Sequence, residues 1–218
     1  MGTQAVSEVV WRARQLIHDS AGARWDDTEM LKWFNDGLAE LILLKPSANG
    51  ERVTLNLSVG TVQDLPTGAV QLLRITHNTS GEVVRIVDQD RLDAVTPTWR
   101  TMTATDTVQH YTYDKLYPKE FQVYPPNDGS GTLEALVSQE FTRVTALGSI
   151  IPVDDIYIPA MTDYLLYRAY SKHSKFAGNE QRATNAYSRF GQALGIQIQQ
   201  EAATDPNQTN KSPQSGVE

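Results

Sequence analysis

The chain has 218 residues, 40% apolar and 21% charged, with 26 acidic against 19 basic side chains and a net charge of −7. A chain of this length can hide roughly 70% of its unfolded surface, enough for one domain or two small ones. The acidic balance argues against a surface that grips nucleic acid on every side. The lack of cysteine excludes disulfides, thiolate metal sites and cysteine nucleophiles, and fits synthesis in a reducing cytoplasm.

The N-terminal "MGTQAVSEVVWRARQLIHDS" lacks the apolar core and cleavage site of a signal peptide, and no apolar run nears the ~20 residues of a membrane span. A soluble intracellular product is expected. The glycosylation patterns at Asn78–Ser80 and Asn207–Thr209 therefore carry little weight. In Val6–Asp19 the positions Val6, Val9, Val10, Ala13, Leu16 and Ile17 share one helical face. "SAGA" breaks this pattern. In "RWDDTEM", Asp26 suits a helix N-cap, Glu29 completes a capping box, and Trp25 with Met30 forms the staple pair. The buried stripe of this second helix is Met30, Leu31, Phe34, Leu38, Leu41 and Ile42, and "KPSANG" ends it.

From Arg52 the period becomes two, with Val53, Leu55, Leu57 and Val59 on one face. Further strands are expected at Val70–His77, Glu82–Val87, Val108–Tyr113, Glu120–Tyr124 and Thr132–Glu140, and a short helical turn within Asp88–Trp99. Six short strands without long helices between them imply a mostly antiparallel sheet, sandwich or small barrel. Helical spacing returns with Ile158, Met161, Leu165, Ala169 and Phe176, Pro159 falling in the first turn. Gly178 suits a left-handed cap, and Ala183, Ala186, Tyr187, Phe190, Leu194 and Ile198 give a last helix. Its Gly191 and Gly195 would let another backbone approach closely. The final "TDPNQTNKSPQSGVE" has no apolar period and reads as disordered.

No catalytic constellation emerges. The histidines (His18, His77, His110, His173) show no metal-ligand spacing, and His173, between lysines, reads as a solvated surface residue. Asp26/Asp27 and Asp154/Asp155 sit at helix starts, where carboxylates accept free backbone N–H groups. Asp36 and Glu40 share a helix face and read as solvated. "DGSG" (Asp128–Gly131) opens no helix, so it is a turn rather than a phosphate cradle. Arg168, Lys172, Lys175, Arg182 and Arg189 interleave with Tyr164, Tyr167, Tyr170 and Tyr187, a pattern that can grip a single strand. The same tyrosines follow helical spacing, which fits the edge of a packed helix pair better.

Four stretches in order, "WDDTEMLKWFNDGLAEL", "DLPTGAVQLLRITHN", "KEFQVYPPNDGSGTLEALVS" and "IPVDDIYIPAMTDYLLYRAYSKHSKFAGNEQRATNAYSRFGQALG", resemble the head-to-tail adaptor (connector or head-completion) proteins of tailed bacteriophages, of the short-tailed type. The likeness spans most of residues 1–200. One departure is His173, where an acidic residue is common in the family, and no role is carried over to it. The resemblance implies a non-enzymatic virion protein of the neck, made in the host bacterial cytoplasm, without cofactor or metal. It further implies a ring, typically twelvefold, that binds the portal protein and a tail tube or nozzle protein. DNA would pass through the channel without sequence-specific binding, and no membrane is involved.

The expected architecture is α+β, with N- and C-terminal helices forming a bundle, an inserted mostly antiparallel β domain, and a flexible C-terminal tail. Its parts are 1–50 (N-terminal helices), 51–148 (β domain), 149–202 (C-terminal helical pair) and 203–218 (extended arm). Tyr164, Tyr167, Arg168, Lys172, Arg182 and Arg189 are the candidate subunit or portal interface. Asp205, Pro206, Asn207, Asn210, Lys211 and Pro213 mark the candidate portal-docking arm. The alternatives are a tail-tube or tail-completion ring component and, more distantly, a muralytic glycosidase using Glu29 or Asp36.

Overall fold

The N-terminal pattern yields α1 (Val6–Ile17) and α2 (Asp27–Leu44) in a computed structural model that describes residues 2–173, 175, 176 and 178–204. The chain divides into a helical unit, built from residues up to Lys45 with those from Thr142 onward, and a β unit, Pro46–Phe141. The docking-arm residues Asp205, Pro206, Asn207, Asn210, Lys211 and Pro213 lie outside the described residues.

In the helical unit, α1 buries Val6, Val9, Val10 and Ala13, but its stripe stops there and Leu16 stays 57% exposed. The helix ends at Ile17 because His18 turns left-handed (φ 56°) and the Asp19 N–H returns to the Arg14 carbonyl at 3.0 Å. Asp19 then folds inward and accepts the N–H groups of Arg24 (3.1 Å) and Trp25 (3.0 Å). Burial pushes this carboxyl up, but the backbone N–H groups and Arg14 more than offset it, holding Asp19 below the usual carboxylate range. Asp26 caps α2 as expected, accepting the Glu29 N–H at 2.7 Å. The reciprocal half of the capping box is replaced by a bond from Lys172 to the Glu29 side chain. Besides the expected stripe, α2 buries Trp33 and Gly37, while Leu31 is only half-buried.

Ala5, at the N-cap of α1, has no side chain to satisfy the first N–H groups. The chain returning from the β unit does so: Val6 N–H donates to the Ser149 carbonyl (3.0 Å) and Ser7 N–H to that of Leu147 (2.8 Å). Asn35 of α2 holds the same segment, accepting the Val144 N–H (2.8 Å) and donating to its carbonyl (2.9 Å). A turn at Asp155–Tyr157, capped by Asp154, leads into α4 (Ile158–Lys172). Asp155 accepts from Thr3 and so ties down the N-terminal residues.

The α4 helix packs against α1, α2 and α5 (Asn179–Thr204) and buries Ile158, Ala160, Met161, Thr162, Tyr164, Leu165, Leu166 and Ala169. It stops at Lys172, so Phe176 is 62% exposed and does not extend the stripe as expected. Gly178 is left-handed (φ 83°), but it opens α5 through its carbonyl, which accepts the Arg182 N–H, rather than closing α4. Ala183, Ala186, Phe190 and Leu194 form the buried stripe of α5; the Ile198 side chain lies outside the described ones.

In the β unit the expected first strand is shorter than its alternation, and a strand not anticipated from the sequence follows it. β1 (Gly50–Asn56) ends before Val59, which is 76% exposed, and β2 (Gly60–Asp64) begins a new edge. β3 (Ala69–Asn78), β4 (Arg85–Ile86), α3 (Gln89–Val95), β5 (His110–Thr112), β6 (Glu120–Asn127) and β7 (Thr132–Gln139) follow. The strands form two sheets, ordered β1-β7-β3 and β2-β6-β5-β4, antiparallel except for the β4–β5 pair. One core unites them, with Leu55, Leu72, Ile75, Leu133 and Val137 from the first and Tyr111, Phe121 and Val123 from the second. Buried Asn78 exchanges bonds with Val108, donating to its carbonyl (2.7 Å) and accepting its N–H (2.9 Å). Its amide is thus committed to the fold, despite the glycosylation pattern it heads. Asp128–Gly131 is a turn held by Asp128, which accepts from the Ser130 N–H at 2.9 Å.

Within this chain no backbone makes the approach expected at Gly191 and Gly195: among the described residues nothing outside their own helix turn lies within 4 Å of a Cβ built at either. The close approach is at Gly37, where a Cβ would stand 2.7 Å from Tyr164 Cδ1 and 3.0 Å from Met161 Cε. Gly37→Ala should therefore destabilise the protein by about 1–3 kcal/mol. Gly191→Ala, in an open helix position, should stabilise it by roughly 0.5–1 kcal/mol. Urea unfolding followed by circular dichroism checks both signs.

Candidate functional site

The residues expected at an interface lie along α4 and α5, but their first engagement is with their own chain. Tyr164 is 3% exposed and packs its ring edge-on against Phe190 with centroids 5.3 Å apart. That enclosure leaves it no face for a partner in this fold. Burial pushes its phenol up to about 12, with Arg168 opposing and Glu40 adding to the rise. Tyr167 is half-buried between Tyr164 (5.7 Å) and Tyr187 (4.9 Å).

The cations bridge helices. Arg168 reaches Asp36 of α2 at 3.3 Å and the Tyr164 hydroxyl at 3.5 Å. Lys172 pairs with Glu29 of α2, its ammonium 5.0 Å above the Trp25 ring. Arg189 of α5 donates twice to Asp163 of α4, at 2.9 and 2.7 Å. Arg182 lies over the Tyr170 ring at 5.8 Å. Tyr187 donates to Glu40, a bond that raises its own pKa. Such half-exposed pairs are worth about 0.2–1 kcal/mol each, so their role is to fix helix orientation more than to supply stability.

Several expectations change with this geometry. Asp36 and Glu40 are not merely solvated, because each ties α2 to a C-terminal helix. The two carboxylates of the glycosidase alternative, Glu29 and Asp36, are both held by cations. His173 is not a plain surface histidine: it ends α4 half-buried, packed on Trp25 (centroids 4.6 Å) and Phe176 (5.7 Å). His110 stacks on Tyr124 at 5.9 Å and His18 closes α1. Among the described residues no group of three or more His, Asp or Glu could hold a metal ion. No helix among them is long and apolar enough to cross a membrane.

Sequence reasoning missed the outward apolar positions. Trp11 and Leu16 of α1 are each 57% exposed. The signal at Trp11 was present, since it falls off the stripe that Val6, Val9, Val10 and Ala13 define. The Glu29–Lys172 and Asp36–Arg168 bridges had no local signal, because their partners are far apart in sequence.

The raised tyrosines set a pH dependence. A group whose folded pKa lies above its unfolded value stabilises the fold fully below the unfolded pKa, and loses that contribution as pH climbs through the folded one. For Tyr164 the window runs from about 10 to about 12. The unfolding midpoint should fall across that window, less steeply in Tyr164→Phe than in the wild type, as urea titrations at stepped pH would measure.

Against this geometry the sequence comparisons can be placed. A search of curated proteins finds no match. The family model described as "SU10 adaptor protein" matches residues 4–212, spanning the β unit and both segments of the helical unit. The chain belongs to that family, and is therefore a phage head-to-tail adaptor, a structural protein of the virion neck.

Proposed function

We propose that copies of this chain close into a ring, twelvefold as the family resemblance implies, which joins the portal to the tail and continues the DNA channel. The observation that carries this reading is the family match over residues 4–212. The paired helices α4 and α5 support an adaptor over a β-rich tube subunit, which would lack them. A ring protomer needs two unlike faces that meet head to tail. Trp11, Leu16 and Phe176 leave exposed apolar surface on the helical unit for such a contact. Tyr167, Arg168, Lys172 and Arg189 hold the helices that present it, and Arg182 lies on its surface.

The partners are the portal protein on one side and a tail tube or nozzle protein on the other, after synthesis in the host bacterial cytoplasm. The β unit carries seven basic against twelve acidic residues. An acidic surface suits DNA that must slide past, since fixed cations would hold phosphates. The segment 203–218 acts as the arm that docks on the portal.

Light scattering of the purified protein, with and without portal rings, tests the assembly. A ring-sized species is expected with portal present, and a mixture that stays monomer plus portal would overturn the reading. Removing residues 203–218 should leave the fold intact and reduce co-sedimentation with portal. Undiminished co-sedimentation would remove the docking role from the arm.

A further inference from the structure

The helical unit contains a notch of about 350 Å³ where the end of α1 meets the α4–α5 junction. Arg24, Arg182, His18, His173 and Tyr170 line it, Leu16 stands at its margin, and no Asp or Glu contributes. Five cations elsewhere in the unit are matched: Arg12 with Glu8, Arg14 with Asp27, Arg168 with Asp36, Lys172 with Glu29 and Arg189 with Asp163, while Lys32, Arg143 and Lys175, unpaired among the described residues, do not line the notch. Among the described residues the Arg24 guanidinium and the His18 ring have no hydrogen bond or ion pair, and Arg182 has only the Tyr170 ring. Of the acids close in sequence, Asp19 is buried and committed to the N–H groups of Arg24 and Trp25, Asp26 caps α2 by accepting the Glu29 N–H, and Glu180 does not line the notch. A concave site with two arginines and no carboxylate, in a chain of net charge −7, lacks its counter-charge.

We propose that this notch receives α3 of a second copy of the chain, its arginines meeting Asp88 and Asp90. The α3 helix buries only Leu92, and its acidic first turn is exposed at the rim of a groove shared with Thr112, Tyr113 and Asp114. Asp93 is engaged by Arg100 and by the Trp99 indole, both at 2.7 Å, and Asp88 caps the helix through one oxygen, accepting the Asp90 N–H at 2.9 Å, which leaves the Asp90 carboxylate and the second Asp88 oxygen outward. Arg91, the helix's cation, stands one position beyond Asp90 and so about 100° round the axis. Ile86 and Val95, 62% and 75% exposed, flank the turn and complement Leu16 beside the notch. Opposite charge on two facing surfaces fixes register between copies. Since notch and turn are different surfaces, each copy offers one of each, and the contact repeats until the ring closes. The inference rests on the ring reading and names the surfaces that would meet.

The absence of cysteine makes the test direct. Copies carrying Arg182→Cys are mixed with copies carrying Asp90→Cys under the portal-containing conditions in which the wild type assembles, and oxidised. The mixed disulfide should predominate over like-with-like products. Reversing the notch with Arg24→Glu and Arg182→Glu should weaken self-association about tenfold or more, and adding Asp88→Lys and Asp90→Lys on the same chain should restore it. Wild-type copies that stay monomeric beside portal would overturn the ring and this contact together. Rings that form equally well after charge reversal, with no mixed disulfide, would overturn the contact alone. Duplex DNA held by the wild type and released by the double Glu variant, again without mixed disulfide, would assign the notch to phosphates and also overturn it.

Discussion

The helical unit depends on the close approach of α2 and α4 at Gly37. Tyr164 and Met161 occupy the volume that any side chain there would claim. With α4 seated, its other faces meet α1 and α5, and Phe190 closes over Tyr164. Without it, the apolar stripes of α1 and α2 would have no partner, since most helical stability in proteins comes from packing an amphipathic face. The first helices of the chain therefore await a segment made about a hundred residues later. The uncapped N-terminus of α1 obeys the same constraint, because the carbonyls that satisfy it come from Leu147 and Ser149.

The charges follow from that packing. Once the helices are placed, Glu29, Asp36 and Glu40 of α2 face Lys172, Arg168 and Tyr187 of the C-terminal pair. A surface that reads in sequence as basic and aromatic is thus largely neutralised within one protomer. Outward groups that remain include Trp11 and Leu16 on α1 and the cations Arg24 and Arg182. The internal pairs fix how these helices are oriented.

The helices were legible because their period, caps and breakers agree, as at Asp26 and the "SAGA" loop. The two-residue period also located β3, β6 and β7 closely. It failed at Val59, where alternation runs on across a bend and joins β1 to residues outside it. Gly191 and Gly37 show the limit of local reading. Both are helix glycines, and only tertiary packing decides that one is crowded by Tyr164 while the other faces open space. His173 was misread because its lysine neighbours are local while Trp25, which it packs on, is not.

The strands by which the chain enters and leaves the β unit are themselves paired, Gly50 opposite Ser138, running antiparallel from that point. Both junctions thus sit at one end of a single ladder, clasped by Asn49, which donates to the Gln139 carbonyl, and by the Glu140 N–H on Gly68. A pull applied at the two junctions would load that ladder as a zipper, one rung after another from the clasp, and not in shear across all rungs at once. Mechanical resistance in this geometry resides in the first few bonds. The clasp at Asn49 and Glu140 is therefore where the β unit would first register a strain carried through the chain.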